Sequence, residues 1–260
     1  MTYEMIRFSH SESVATIVLD RPERLNAAPP QMFEEIGHAL DNLGSSRAIL
    51  ITGEGRAFCS GADIGGRGDP AGSVGEGAFQ ALTMSYNPTM LKLSRLGIPI
   101  VSAVSGPAAG IGCSLALSAD FVVMGKSAYF LQAFVNIGLV PDGGASWMLT
   151  RLIGKARATE MMMLGERIHG PKAAEWGLVH RCVDDTEVLN EARALASRLA
   201  SGPTLALGLL RQGLAEALDS DYASALQREA ENQRQAGQSA DAVEGAVSFL
   251  QKRPAVFTGR

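Results

Sequence analysis

Residues 98–124, IPIVSAVSGPAAGIGCSLALSADFVVM, hold the pattern that decides the fold. An apolar strand is predicted over 98–104, and the glycine-rich loop after it leads into a helix of small residues over 110–119. A second apolar strand follows at 121–124. Two nearly continuous apolar strands joined by a helix are typical of a parallel sheet that is covered on both faces.

The chain on either side of this stretch extends the α/β pattern. Strands are predicted at 14–19 and 48–52, with an amphipathic helix over 30–43 between them. From Gly143 onward the sequence predicts helices over 143–152, 155–164, 171–176, 187–200, 203–218, 221–236 and 241–251. The segment 205–218 carries leucine on most of its faces, so we expect it to pack on a large surface such as another subunit.

Composition excludes several classes of protein. The 260 residues carry 23 Lys and Arg against 27 Asp and Glu, a formal charge of −4, with three cysteines and four histidines. The odd, scattered cysteines argue against a disulfide scaffold, and no cluster has zinc-ligand spacing. The acidic balance argues against a nucleic-acid partner. The most apolar stretch is too broken to span a membrane, and no signal peptide is apparent. We expect a soluble protein of the reducing cytoplasm.

Two glycine-rich segments follow predicted strands. The first is GEGRAFCSGAD at 53–63 and the second is SGPAAGIGCSLAL at 105–117. The first predicts either an ordinary tight turn or a turn that aims the backbone N–H of Ala62 into a cleft. The second predicts either close packing of a helix on the sheet or a helix start whose N–H groups, that of Ile111 among them, suit an anion.

The third candidate segment contains Asp142, within Pro-Asp-Gly-Gly. One interpretation is a turn residue that caps the following helix. The other is a general base, because apolar neighbours would disfavour the charged form of a carboxylate and adjust it for proton transfer. Those neighbours in the sequence are Phe134, Ile137, Leu139, Val140 and Trp147.

Taken together, these segments resemble the crotonase (enoyl-CoA hydratase/isomerase) superfamily over essentially the whole chain. Five motifs in register carry the resemblance: DRPERLNA at 20–27, GRAFCSGAD at 55–63, the glycine run at 106–112, RLIGKARATEMMMLGERIHGPKAAEWGLVHRCV at 151–183 and EGAVSFLQKRPAVFTGR at 244–260. Within the superfamily, the chain resembles the ring-epoxide isomerases of phenylacetate degradation. That likeness rests on YNPTMLKLSRLGIPIV at 86–101, IGLVPDGGASWMLTRLIG at 137–154 and PTLALGLL at 203–210.

The resemblance implies an α/β fold, a crotonase-like ββα spiral over residues 1–200 that holds an acyl-CoA site. It implies a helical region over 201–260 that serves trimerisation and covers the CoA pocket, giving a homotrimer or homohexamer. Acyl-CoA is then the substrate, and no separate cofactor or metal is expected. The N–H groups of Ala62 and Ile111 would bind the thioester oxygen and stabilise an enolate.

The sequence departs from the family's hydratases at two positions. Those enzymes use two glutamates, and here the corresponding positions are Ser114 and Phe134. Since a serine and a phenylalanine cannot hold and activate a water, we expect an isomerase in which Asp142 is the one acid/base. Two alternatives remain open: a hydratase-like, hydrolase-like or aryl-CoA dehalogenase-like enzyme with Asp142 as nucleophile, and an inactive CoA-binding or RNA-binding relative.

Contacts to the acyl-CoA are expected from both ends of the chain, and residues 64–90 are expected to form a loop that shapes the acyl pocket. The resemblance and the need for cations near the CoA phosphates point to Arg24, Ala27, Asp63, Ile64, Arg67, Gly110, Phe134 and Phe257. Lys252, Arg253 and Arg260, with Phe257, are candidates that a neighbouring subunit would supply.

Overall fold

Strands and helices alternate along the first half of the chain in the computed structural model, which describes residues 2–63 and 74–260. The strands are β1 (Ile6–Ser11), β2 (Val14–Leu19), β3 (Ala48–Gly53), β4 (Ile100–Val104), β5 (Pro107–Ala109), β6 (Phe121–Gly125), β7 (Tyr129–Leu131), β8 (Ile168–His169) and β9 (Arg181–Val183). The helices are α1 (Pro30–Asp41), α2 (Val74–Ala81), α3 (Asn87–Arg95), α4 (Ile111–Leu117), α5 (Ala145–Leu164), α6 (Gly170–Trp176), α7 (Val188–Ala200), α8 (Thr204–Ala217), α9 (Tyr222–Gly237) and α10 (Ala240–Gln251).

The main sheet has the strand order β1-β2-β3-β4-β6-β9, and every neighbouring pair except the β1–β2 hairpin is parallel. Alternate residues of β3 enter different cores. Ile49 and Ile51 join the core that includes α1, whereas Ala48 and Leu50 join the core that includes α7. Both faces of the central strands are therefore covered, which explains their continuous apolar sequence.

The parallel strands deliver the two glycine-rich segments to the same edge of the sheet, because β3 and β4 both end there. A smaller sheet of order β5-β7-β8 begins just beyond this edge. Its first strand, β5, continues directly from the loop after β4 and leads into α4. The fold therefore gathers the two glycine-rich segments at the carboxyl ends of the strands, where open α/β sheets bind ligands.

The predicted strands and most predicted helices are confirmed, with end shifts of a few residues. The helices predicted over 143–152 and 155–164 are confirmed as the two parts of α5, which is broken at Gly154, where φ is 75°. The region beyond Gly143 also holds two short strands, β8 and β9, that the sequence analysis did not predict. One prediction is wrong, because the described part of 64–90 is helical rather than a loop. There Tyr86 is buried against Phe33, with ring centroids 4.7 Å apart, so tertiary packing outweighs the glycine content.

The carboxyl-terminal helices leave apolar side chains open to solvent in the single chain. Leu210, Leu214 and Leu218 are 61%, 70% and 57% exposed, so the predicted burial of this segment does not occur within one chain. Leu209 is the neighbour that packs inward. Among the helices of the described residues, none combines the length and apolar character needed to cross a membrane.

Candidate active site

The loops after β3 and β4 run side by side. Cys59 donates its N–H to the carbonyl of Pro107 at 3.0 Å, and Ala109 donates to the carbonyl of Cys59 at 2.9 Å. This pairing brings Gly61 and Gly110 together, since a Cβ built on Gly110 would lie 3.8 Å from the Gly61 Cα. Both glycines have positive φ, 112° and 52°, a conformation that other residues rarely adopt.

The N–H of Ala62 points out of its loop toward this meeting point. Ala62 pairs with Ala28 as in a parallel sheet, flanked by the bonds from the Ala28 N–H to the Gly61 carbonyl and from the Asp63 N–H to the Ala28 carbonyl. In such a pairing the enclosed residue directs its own N–H to the opposite side. That side is the one on which the same loop pairs with β5, and no described residue accepts a hydrogen bond from this N–H.

The N–H of Ile111 opens helix α4 at the same place. Gly110 is the capping residue, and its own N–H donates to the carbonyl of Leu131 at 2.9 Å. The Gly110 carbonyl accepts from Cys113 and Ser114, which closes the first turn. The first N–H groups of a helix have no partner inside it, and within the described ranges nothing accepts from Ile111. Two backbone donors therefore follow two adjacent glycines.

Asp142 lies in the loop before α5, and this loop contacts α4. The next residue, Gly143, packs directly on this helix: a Cβ at that position would lie 2.3 Å from Ile111 Cδ1 and 2.9 Å from Ser114 Cβ. The Ser114 hydroxyl donates to the Asp142 carbonyl at 3.0 Å. The Asp142 side chain is partly buried, and its Oδ1 atom is shielded from solvent. The structure thus brings the predicted acid/base against the helix that carries the Ile111 donor.

The interpretation of Asp142 as a helix cap is wrong. The capping residue of α5 is Gly144, with φ of 83°, and the helix begins at Ala145. The Asp142 carbonyl accepts from the Ala145 N–H at 3.1 Å, and no side chain of the described residues caps α5.

The apolar surroundings expected for Asp142 are only partly present in the single chain. The Phe134 ring is half-buried beside the glycine loop, 3.4 Å from the position that a Gly110 Cβ would take. Ile137 and Val140 are instead largely exposed, because the short helix and the loop that carry them run along the surface, and Trp147, in the first turn of α5, is 43% exposed.

An ion pair missed by the sequence analysis holds the loop just after Ala62. Arg21 Nη1 lies 2.9 Å from Asp63 Oδ2, and the two side chains are only 17% and 16% exposed. The same guanidinium donates to the carbonyl of Ala27. Asp63 and Ala27, both predicted as acyl-CoA contacts, are thus tied together by Arg21. Arg21 belongs to the motif DRPERLNA, which the sequence analysis singled out, but its partner Asp63 lies 42 residues away.

Asn26 is a second anchor that the sequence analysis missed. It is fully buried, its Oδ1 accepts from the Arg21 N–H at 2.8 Å, and its Nδ2 donates to the carbonyls of Glu54 and Ala57 at 2.9 and 2.8 Å. Any side chain at Gly53 would collide with this arrangement, since its Cβ would lie 2.8 Å from Asn26 Nδ2. Asn26 therefore fixes the start of the loop that ends at Ala62.

Two buried thiols lie close to the glycine loops. Cys59 Sγ lies 3.8 Å from the Gly61 carbonyl, and Cys113 lies in the first turn of α4. Burial raises the pKa of each thiol to about 12. Because the thiolate is the reactive form, neither sulfur is a nucleophile near neutral pH.

Of Arg24 and Arg67, the cations predicted near the CoA phosphates, only Arg24 lies among the described residues. Arg24 is exposed on the turn between β2 and α1. Ile64 and Arg67 lie outside the described residues.

Phe257 and Arg260, predicted as acyl-CoA contacts near the end of the chain, lie away from the glycine loops of the same chain. Arg47, directly before β3, donates to the carbonyl of Phe257 at 3.2 Å, so Phe257 lies at the amino end of the strand. The glycine loop begins at its other end, about 17 Å away for a six-residue strand. Arg260 is held at the start of α10, where its carbonyl accepts from the Asp241 N–H.

Two further cations of this region, Lys252 and Arg253, lie at the end of α10. Lys252 ends α10 as an exposed residue with φ of 53°. Arg253 forms two bonds of 2.6 and 2.8 Å with the Glu244 carboxylate, which keeps the pKa of Glu244 low, at about 2. A role for this region at an acyl-CoA site of a second copy of the chain remains a prediction.

Comparison with known proteins agrees with this architecture. Residues 9–260 match the model of the enoyl-CoA hydratase/isomerase family. The chain is 42% identical to a "Probable enoyl-CoA hydratase" of Rhodobacter capsulatus, over the full length of both. It is 40% identical to the 1,2-epoxyphenylacetyl-CoA isomerase of Escherichia coli, covering 97% of this chain and 98% of that one.

Solved structures give the same result. The crystal structure of an enoyl-CoA hydratase from Bacillus anthracis superposes with a TM-score of 0.92 at 29% identity, covering 99% of this chain and 100% of that one. The two proteins therefore share one fold over their whole length. The chain is therefore a member of the enoyl-CoA hydratase/isomerase family, in the crotonase superfamily.

Proposed function

We propose that this chain is an acyl-CoA thioester isomerase in which the N–H groups of Ala62 and Ile111 bind the thioester oxygen and Asp142 transfers the proton. The observation that carries the proposal is that two glycine loops and the turn that bears Asp142 all contact helix α4 or its first residues. The substrate class follows from the family, whose members are named for acyl-CoA reactions.

The paired donors suit a thioester that becomes an enolate. When a proton leaves C2, negative charge develops on the thioester oxygen, and fixed N–H groups stabilise that charge without reorganising. One such donor is typically worth about 3–4 kcal/mol of activation free energy. Because both donors are backbone groups, the site needs no histidine or metal ion for this step.

Asp142 supplies the proton transfers of a double-bond shift. Its carboxylate takes a proton from C2 of a 3-enoyl thioester, and the electrons of the broken C–H bond enter a dienolate. The Asp142 carboxylic acid then returns the proton to C4, so that the double bond moves from C3–C4 to C2–C3. One carboxylate is enough, since it gains and loses the same proton.

The residues beside the site favour isomerisation over hydration. Hydration requires a water held between two acid/base groups, and positions 114 and 134 carry a serine and a phenylalanine instead. The Phe134 ring beside Gly110 presents an apolar surface to that side of the loop and offers no group to hold a water. The same enolate would support rearrangement of a ring epoxide, the substrate named for the Escherichia coli relative.

The test is a panel of 3-enoyl-, 2-enoyl- and aryl-acetyl-CoA thioesters, followed by proton NMR in deuterated water with the wild-type chain and Asp142→Asn. We expect 3-enoyl thioesters to be converted to 2-enoyl thioesters by the wild type, with a loss of at least about 100-fold in the variant. Full activity in Asp142→Asn would overturn the assignment. Hydration would indicate a hydratase, a covalent aryl adduct a nucleophilic Asp142, and CoA binding without exchange an inactive relative.

We also propose that the helices α8–α10 assemble the chain into a homotrimer or homohexamer. Support comes from the exposed leucines of α8 and from Val243, Phe249 and Leu250 of α10, of which the last two are about 80% exposed. Exposed apolar patches of this kind mark interfaces. Sedimentation equilibrium should give three or six chains, and a monomer at micromolar concentration would contradict the proposal.

A further inference from the structure

We propose that Ser114 is a positioning residue that sets the place of the Asp142 carboxylate relative to the Ile111 donor. The inference rests on the proposed function, because it concerns the alignment of that acid/base with that donor. Ser114 itself is fully buried, three residues into α4.

Ser114 contacts both halves of the site at once. Its N–H donates to the carbonyl of Gly110 at 3.2 Å, in the turn that presents Ile111. Its hydroxyl donates to the carbonyl of Asp142 at 3.0 Å. A single residue therefore connects the backbone that binds the oxyanion with the backbone that carries the acid/base.

The bond from Ser114 fixes the orientation of the Asp142 peptide. The Asp142 carbonyl also accepts from the Ala145 N–H at 3.1 Å, so it is held from two directions. With its carbonyl fixed in this way, the Asp142 backbone cannot rotate freely, and the direction in which its side chain leaves the backbone is restricted. The hydroxyl thus acts on the carboxylate through the main chain.

Direct packing sets the distance between the Asp142 turn and the helix. Gly143 has φ of 58°, and a Cβ on it would lie 2.9 Å from Ser114 Cβ and 2.3 Å from Ile111 Cδ1. No real contact is that short, so the turn rests on α4 with no room for a side chain. Ser114 and Gly143 are therefore a matched pair of small residues.

Ser118, near the end of the same helix, shows what a serine hydroxyl with a purely local role looks like. Ser118 Oγ donates at 2.7 Å to the carbonyl of Leu115, within its own stretch of chain. That bond satisfies the hydroxyl locally, as buried or half-buried serines commonly do. The Ser114 hydroxyl instead leaves its helix to bond a different element, 28 residues away.

The test compares Ser114→Ala, Ser118→Ala and Asp142→Asn with the wild type, using trans-3-hexenoyl-CoA as substrate. We expect kcat of Ser114→Ala to fall about three- to tenfold with KM within twofold, because the Asp142 carbonyl loses one of the two hydrogen bonds that fix its orientation. Ser118→Ala should match the wild type. Ser114→Cys, which keeps a weak donor, should be intermediate and carries the test if the alanine variant folds poorly.

A second readout separates the two halves of the site. The ¹³C shift of the thioester carbonyl in bound hexanoyl-CoA reports the Ala62 and Ile111 donors, and it should be the same in Ser114→Ala and the wild type. A shift that returns toward its free value would mean that Ser114 acts through Ile111 instead, which would overturn the proposal. Unchanged kcat in Ser114→Ala, with Asp142→Asn inactive, would also overturn it while leaving the proposed function intact. A wild type that isomerises no 3-enoyl thioester would overturn the proposed function and this inference with it.

Discussion

Arg21 and Asp63, 42 residues apart in the chain, form an ion pair of 2.9 Å with both side chains about five-sixths buried. The pair joins the turn after β2 to the residue that follows Ala62. Because the same guanidinium also donates to Ala27, it holds the two loops in a fixed relation. The direction of the Ala62 N–H depends on that relation.

Asp63→Ala should therefore reduce both stability and turnover. It leaves the Arg21 guanidinium mostly buried without its carboxylate, which we expect to cost about 1.5–3 kcal/mol of unfolding free energy. Urea denaturation measures this loss, and kcat on a 3-enoyl thioester should fall with it. The matched control is Asp184→Ala, since the Lys126–Asp184 pair of 2.6 Å is 61% and 70% exposed. That change should cost less than about 1 kcal/mol; equal losses in the two variants would show that burial of the first pair does not matter.

Asn26→Asp is expected to be more harmful than its similar shape suggests. The change replaces an amide that donates to the carbonyls of Glu54 and Ala57 with a buried carboxylate that can only accept. Loss of two donated bonds, with repulsion from two carbonyl oxygens, should cost about 2–4 kcal/mol. A drop of roughly 4–16 °C in Tm would be measured by calorimetry, at about 2–4 °C for each kcal/mol.

Asn42→Asp is the control for that substitution. Asn42 Nδ2 donates to the carbonyl of His38 at 2.8 Å, but the bond is exposed to water at the end of α1. We expect its Tm to stay within about 2 °C of the wild type. If Asn26→Asp and Asn42→Asp had the same Tm, the buried network around Asn26 would not be what holds the glycine loop.

The sequence was sufficient to predict the central strands and the three site segments, for a physical reason. β3 and β4 are covered on both faces, so their sequences are continuous apolar runs that stand out from their surroundings. Edge strand β1 was missed because its sequence, IRFSHS, is half polar and only Ile6 is buried. The three-residue strands β5, β7 and β9 are too short to carry a periodic pattern.

The residues that hold the site together were less predictable. Asn26, Arg21 and Ser114 act through partners between 28 and 42 residues away, some of them main-chain carbonyls that leave no trace in the sequence. Their roles depend on which loops meet, and this follows from strand order rather than from local pattern. The glycines were the better guide, because a positive φ or a close approach restricts the residue at the position itself.

Ser114→Glu should not turn the chain into a hydratase. Ser114 is fully buried, and Gly143 packs so closely on it that even a Cβ on Gly143 would lie 2.9 Å from Ser114 Cβ, which leaves no space for a glutamate side chain there. Accommodating it would displace the Asp142 turn and bury a charge, so we expect several kcal/mol of destabilisation and loss of isomerisation. Hydration of a 2-enoyl-CoA, monitored by loss of the conjugated absorbance, should stay at background. Clear hydration by the variant would mean that the turn can move aside, and that packing at Gly143 does not set the reaction.

The buried thiols Cys59 and Cys113 should make the chain sensitive to alkali. Burial raises the pKa of both to about 12, whereas in the unfolded chain a thiol ionises near 8.5. Between about pH 9 and 12 the unfolded state therefore binds fewer protons than the folded state, and stability falls as pH rises. The slope is at most about 1.4 kcal/mol for each pH unit and each thiol.

Urea denaturation at intervals from pH 8 to 10.5 should show a shallower decline of the unfolding free energy for the double variant Cys59→Ala/Cys113→Ala than for the wild type, even though the variant starts from lower stability. Tyrosine and lysine ionisation affects both proteins alike and cancels in the difference, so parallel curves would mean that the two thiols ionise in the folded chain as readily as in the unfolded one.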